Sequence, residues 1–305
     1  MHNDHIGADG VFKTCSHKVR LKQADRLHII PLGDIHSDAP SHCEDAWRAT
    51  LDRIRTLHNE GTQYLLLGMG DYVDFASTTE RSKLARQGEL HESTHASLDK
   101  QADQNMRRLA KQLEFTKGHW IGWIQGNHYW RYLTGADTGK TTSMMLAEKL
   151  GGVWLGSAAY IVLTLQIGNG GRAKRLDIFA SHGKSGGQLL GTPYNNVHKM
   201  RSVFPGADIY LMGHDHNRGT IPKPVLECRS PQKSGALPTV HAKRQIFGRT
   251  GSFLKAYEPS IPNYVVKSLM HPADLGHIEI VVKVTETVKT SQYNRTLQAD
   301  ITCLT

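Results

Sequence analysis

The sequence predicts an α/β fold in a single domain, and three observations carry that expectation. Apolar runs of strand length alternate with helical patterns through the first half, whereas the second half reads mostly as strands. Five of those runs stop in the same way, at a glycine or serine followed by Asp, Asn or His. Hydrophobic residues make up 39% and charged residues 21% of 305, enough for a sizeable core and unlike a disordered chain. No shift in composition marks a linker. One domain is therefore expected over residues 26–285, with 1–25 as a basic arm or first edge and 286–305 as a C-terminal extension.

The elements follow in order. Lys13, Lys18, Arg20 and Lys22 give the first segment its basic character. Residues 26–36, RLHIIPLGDIH, are a buried strand feeding a loop. Ser41 is placed to cap a helix with Glu44 at the reciprocal position, and Trp47, Leu51, Ile54 and Leu57 follow at helical spacing until Gly61. A second strand ends at Gly70-Asp71, and polar helices anchored by Leu90, Leu98, Met106, Leu109 and Leu113 fill 79–115. The third strand, HWIGWI, runs into Gly126-Asn127-His128, and a helix over about 141–150 closes at Gly151-Gly152. Residues 159–183 read as two strands joined at Gly168-Asn169-Gly170-Gly171. ADIYLM is a further strand, Pro222, Pro224, Pro231 and Pro238 suggest loops and short strands over 217–250, and 276–287 is a late strand.

Bulk properties bound the function. Lys and Arg number 37 against 28 Asp and Glu, a net charge of +9 that suits an anionic partner. Cys15, Cys43, Cys228 and Cys303 are scattered, which reads as reduced thiols. The polar start MHNDHIGADG has no apolar signal core, and no run reaches the ~18 apolar residues of a membrane span. A cytoplasmic protein without membrane partners is expected.

The five strand ends are Gly33-Asp34-Ile35-His36, Gly70-Asp71, Gly126-Asn127-His128, Ser181-His182-Gly183 and Gly213-His214-Asp215-His216. Loops at one end of a sheet are the usual place for a ligand site in α/β architectures. Imidazole, carboxylate and amide oxygen, without thiolate, suit Mn²⁺, Fe or Zn²⁺ in a reactive site better than a structural cysteine site. Residues two apart in extended chain point the same way, so Asp34 with His36, and His214 with His216, can each converge. The glycines allow a sharp turn and close backbone approach. A single Gly-Asp after a strand is most often just a turn; the ordered set of five points to a metal centre.

That ordered set resembles the calcineurin-like metallophosphoesterases over about residues 26–285. The resemblance implies a four-layer αββα sandwich of two mixed sheets flanked by helices, and a centre of two divalent ions, Mn²⁺ foremost. It implies that Asp34, His36 and His216 hold one ion and that Asn127, His182 and His214 hold the other. Asp71 would bridge them, and His128 would act as the catalytic histidine. The implied activity is phosphate-ester hydrolysis by a metal-activated hydroxide. Protein serine/threonine phosphatases of this superfamily carry Gly-Asp-x-Val-Asp-Arg-Gly and Gly-Asn-His-Glu. Here Phe75 follows Asp74 and Tyr129 follows His128, which favours phosphodiesters, nucleic acid among them, over phosphoproteins. Asp74 or another acid would then have to orient His128.

His198 and Arg201, downstream of the His182 loop, are candidate contacts to substrate phosphate. Basic clusters at Arg107/Arg108/Lys111, Arg172/Lys174/Arg175 and Lys243/Arg244/Arg249 read either as solvated surface or as a polyanion track. Trp120 and Trp123 read as core, whereas Tyr129 or Trp130 could stack on a base. GADTGKTT lacks the spacing of a phosphate-binding loop, and His91 and His95 read as a solvated helix face. Two rival functions stay open: a phosphomonoesterase or protein phosphatase, and a metal-holding interaction scaffold without catalysis.

Overall fold

A computed structural model describes residues 12–22, 25–75, 77–86, 91–168, 173–184, 189, 191–229, 235, 237–257, 266, 271–272, 274–289 and 294–304. Its strands form two six-stranded mixed sheets. The first runs β1 (Phe12–Leu21), β6 (Ala158–Ile167), β7 (Ala173–Ser181), β8 (Ile209–Met212), β10 (Thr239–Thr250), β9 (Arg218–Arg229). The second runs β12 (Asn294–Leu304), β11 (Glu279–Lys289), β2 (Arg26–Leu32), β3 (Gln63–Gly68), β4 (Trp120–Trp123), β5 (Val153–Trp154). Strands β2 to β5 are parallel, and β7, β8 and β10 are parallel to one another.

The sheets pack face to face because their sequences alternate. In β6, Ala159, Ile161, Leu163 and Leu165 are fully buried while the residues between them are partly exposed. They meet Ile29, Leu67, Ile121 and Ile280 of the opposing sheet in one apolar layer. Each such side chain removed from water contributes about 1.5–3 kcal/mol. Outside the second sheet lie α1 (Glu44–Asn59), α3 (Glu92–Gln112) and α4 (Thr142–Leu150), whose Trp47, Ile54, Met106, Leu109 and Leu146 cover Trp120 and Trp123. The two tryptophan rings stack 3.8 Å apart, so both are core. Helix α5 (Thr192–Lys199) covers the other sheet through Val197, against Tyr210 and Phe247. The result is the expected four-layer αββα sandwich.

Several local expectations are corrected. Helix α1 begins at Glu44 with Cys43 before it and no side-chain cap, so Ser41 and Glu44 form no capping box. The reason is tertiary: Cys43 N–H donates to Phe253 O (2.6 Å) and Lys255 N–H to Ser41 O (2.8 Å), drawing 41–43 into extended pairing. Residues 217–250 contain two twelve-residue antiparallel strands rather than short pieces. Pro222 and Pro224 are tolerated because β9 is an edge strand, and prolines two apart both turn their missing N–H away from β10. Residues 12–21 form an edge strand parallel to β6, and β12, within 286–305, pairs along β11. The 169–172 turn lies outside the described residues.

Candidate metal centre

The loops after β2, β3 and β4 in one sheet meet those after β7 and β8 in the other, at the seam where the sheets face each other. Backbone pairing locks them together. Asp34 N–H donates to Gly70 O (2.9 Å), and the N–H groups of Ile35 and His36 donate to Asp71 O (2.8 and 3.0 Å). Two carboxylates also serve as struts: Asp34 Oδ2 accepts from His214 N–H (2.9 Å) and Asp71 Oδ1 from His128 N–H (2.8 Å).

The convergence has a different local cause from the extended-chain alternation expected above. Asp34, His36, Asp71, His214 and His216 have φ of 47°, 46°, 50°, 74° and 59°. These left-handed conformations are costly for side chains other than glycine, at about 1–3 kcal/mol each, and persist only where surrounding structure imposes them. The preceding glycines matter mainly by lacking a side chain. A Cβ on Gly126 would overlap the backbone and carboxylate of Asp71, and one on Gly70 would come within 2.6 Å of His182 Nδ1.

Two groups of donor atoms result, Asp34/His36/His216 and Asp71/His182/His214, and a third, His36/Asp74/His128, shares His36 with the first. His182 Nε2 lies 3.0 Å from Asn127 Oδ1, 3.1 Å from His214 Nδ1 and 3.2 Å from Asp71 Oδ2. His36 Nε2 lies 3.9 Å from the same Asp71 Oδ2, which therefore faces both groups. Asp34 Oδ1 and His36 Nε2 are buried yet make no hydrogen bond. Converging lone pairs, two of them buried without a proton donor, fit divalent cations of borderline or hard character.

The electrostatics agree. Burial alone would raise the carboxyl pKa values, but His216 and His182 hold Asp34 below its usual range, and His182 with His36 holds Asp71 below its own. Burial would lower His182, but the charge of Asp71 carries it up to about 9. The cluster attracts positive charge, which a metal ion can supply in place of protons.

Asp74 is the acid the sequence left unassigned. Its Oδ1 lies 2.8 Å from His36 Nδ1 and 3.1 Å from His128 Nδ1. Burial opposes charge on His128, but the hydrogen bond to Asp74 and the charge of Asp71 raise it to about 9. Asp74 is itself held by Asp38, which accepts from Asp74 N–H with one oxygen and from Asn105 Nδ2 (2.5 Å) with the other. Asp38 escaped sequence reasoning because its partners are 36 and 67 positions away. Beside Asp74 opens a 450 Å³ cleft lined by Phe75, Leu84, Leu98 and Trp130 together with the charged Asp38, Glu80 and Lys83.

Other candidates lie elsewhere. His198 packs on Phe247 (5.0 Å between ring centres) and faces Lys223 Nζ (3.3 Å), while Arg201 sits in the turn after α5; neither belongs to the donor groups. Trp130 is buried and donates to Asp99 Oδ1 (2.6 Å), so its ring cannot serve as an open stacking platform. Arg249 is also no surface cation: it is fully buried, bonded to Asp215 and to Gly213 O (2.6 Å) behind the His214–His216 turn.

A largely buried set of His and Asp side chains at the carboxyl ends of sandwich strands could hold metal, with a carboxylate-held histidine beside it. The chain belongs to the calcineurin-like phosphoesterase family, whose model matches residues 27–218. No curated protein matches the chain. It is thus a phosphoesterase by family, with His/Asp clusters that could hold metal. Among the described residues, no helix is long and apolar enough to cross a membrane.

Proposed function

We propose that this protein is a two-metal phosphodiesterase. The observation that carries the reading is the pair of donor groups facing one carboxylate oxygen, Asp71 Oδ2, with His128 held alongside. Asp34, His36 and His216 would hold one ion; Asn127, His182 and His214 the other; Asp71 would bridge. When bound, such ions supply Lewis acidity and make water more acidic. Mn²⁺ is the first cation to test, with Fe and Zn²⁺ after it.

The chain's own residues do the rest. Asp74 accepts a hydrogen bond from His128 Nδ1–H, which orients Nε2–H to give its proton to the departing oxygen. Asp74 also orients His36, so one carboxylate sets both a ligand and the proton donor. A diester needs room for a second organic group, and the partly apolar cleft beside Asp74 would offer it. The net charge of +9 favours an anionic substrate, nucleic acid among the candidates. His198 and Arg201 would be contacts to substrate phosphate outside the donor groups. With Phe75 and Tyr129 in place of the phosphatase arginine and glutamate, phosphoproteins are the weaker reading.

The test compares bis-p-nitrophenyl phosphate with p-nitrophenyl phosphate in Mn²⁺, with His128→Ala as control. The expected result is a diester preference that the variant loses. A monoester preference would overturn the diester assignment. Two bound ions without hydrolysis of either compound would favour the scaffold reading.

A further inference from the structure

Between the metal-ligand loops and the polar helices lies a contact that the family motifs do not include. Helix α2 (Thr78–Arg86) starts with a reciprocal cap: Ser77 N–H donates to Glu80 Oε2 (2.7 Å) and Glu80 N–H to Ser77 Oγ (3.3 Å). That cap fixes the first turn, where Thr78 and Arg81, three positions apart, share one face. Both reach the same neighbour. Thr78 Oγ1 donates to Asn127 O (3.4 Å), and Arg81 donates from one guanidinium nitrogen to Asn127 O (3.1 Å) and Tyr129 O (2.9 Å). The other terminal nitrogen of Arg81 donates to Thr78 Oγ1 (3.3 Å), and the guanidinium lies 3.8 Å over the centre of the Tyr129 ring. The carbonyls it grips flank His128 on both sides.

From this geometry we infer that Arg81 is a positioning residue: it clamps the Asn127–Tyr129 loop and so sets the aim of the Asn127 ligand and of His128. The inference rests on the two-metal reading above. Three features single out arginine. One guanidinium nitrogen reaches two carbonyls while the other reaches Thr78 Oγ1 and the plane stacks on an aromatic ring, which a lysine ammonium cannot do together. The carbonyl contacts are nonlocal, joining positions 46 and 48 residues apart, so they dock α2 on the loop rather than close its turns. The two carbonyl contacts of Arg81 fall on the loop that carries Asn127, whereas Asp34, His36 and His216 stand on other loops. Removing a group that orients a metal ligand typically costs 10–100-fold in metal affinity or activity.

The experiment is calorimetric titration of the metal-stripped full chain with Mn²⁺, for wild type, Arg81→Ala and Arg81→Lys, alongside thermal melts. Thr79→Ala, at an exposed position of the same helix, is the control. Wild type and the control are expected to bind two ions. Arg81→Ala is expected to weaken one binding step 10–100-fold, to leave the other within about twofold, and to melt within a few degrees of wild type; Arg81→Lys should fall between. Two unchanged steps in Arg81→Ala would overturn the inference and leave the metal reading intact. Equal weakening of both steps with a large drop in melting temperature would overturn it in favour of a general structural role. A wild type that binds no Mn²⁺, Fe²⁺ or Zn²⁺ would overturn both.

Discussion

Acid should destabilise this protein in part through a histidine outside the donor groups. His277 precedes β11, and its Nδ1 meets Thr50 Oγ1 of α1 at 3.0 Å. Burial lowers its pKa from 6.5 to about 4, the cations Arg218 and Arg53 push the same way, and Glu279 opposes them. The folded state therefore holds it neutral where the unfolded chain would protonate it. Above about pH 6.5 both states are neutral and the group costs nothing. As pH falls from 6.5 towards 4, only the unfolded state takes the proton, and stability drops. At about 1.4 kcal/mol for each tenfold, the full loss is about 3 kcal/mol below pH 4, of which about 2 kcal/mol is already present at pH 5. Replacing His277→Asn keeps a polar group for Thr50 and removes the titration. Urea unfolding of wild type and variant at about pH 7 and 5 isolates the term, because the metal ligands titrate alike in both. The gap between the two proteins should shift by about 2 kcal/mol in the variant's favour at the lower pH. A gap that stays constant within about 0.5 kcal/mol would refute the assignment.

Three further outcomes are expected. Asp74→Asn should lower kcat for the diester roughly 10–100-fold with an unchanged melting temperature, because its carboxylate orients both His36 and His128; steady-state kinetics beside a thermal melt would show it. Gly126→Ala should prevent normal metal uptake, since its Cβ has no room beside Asp71; metal analysis after dialysis checks this. Asp99→Ala should destabilise by about 2–4 kcal/mol, because Asp99 accepts from Trp130 Nε1 (2.6 Å), Thr134 N–H and Thr134 Oγ1 (both 2.7 Å), and these donors would lose their partner. Chemical denaturation measures that cost.

The sequence by itself determined which residues stand at the strand ends and what chemistry they offer. Apolar runs of strand length are legible because burial imposes their composition, and a histidine or aspartate just past such a run stands out against it. The layer order followed from the resemblance, and the strand–helix alternation of the first half agreed with it. Tertiary structure decided everything that depends on a distant partner. Asp34, His36, His214 and His216 converge through left-handed backbone that local pattern does not encode, since neighbouring loops impose it. Arg249 looked like one more surface cation until packing buried it behind Gly213, and Arg81 gave no signal until α2 came against Asn127. Periodicity reports how a residue sits against its near neighbours, whereas a hydrogen bond across 34, 46 or 48 positions exists only once the sheets have packed.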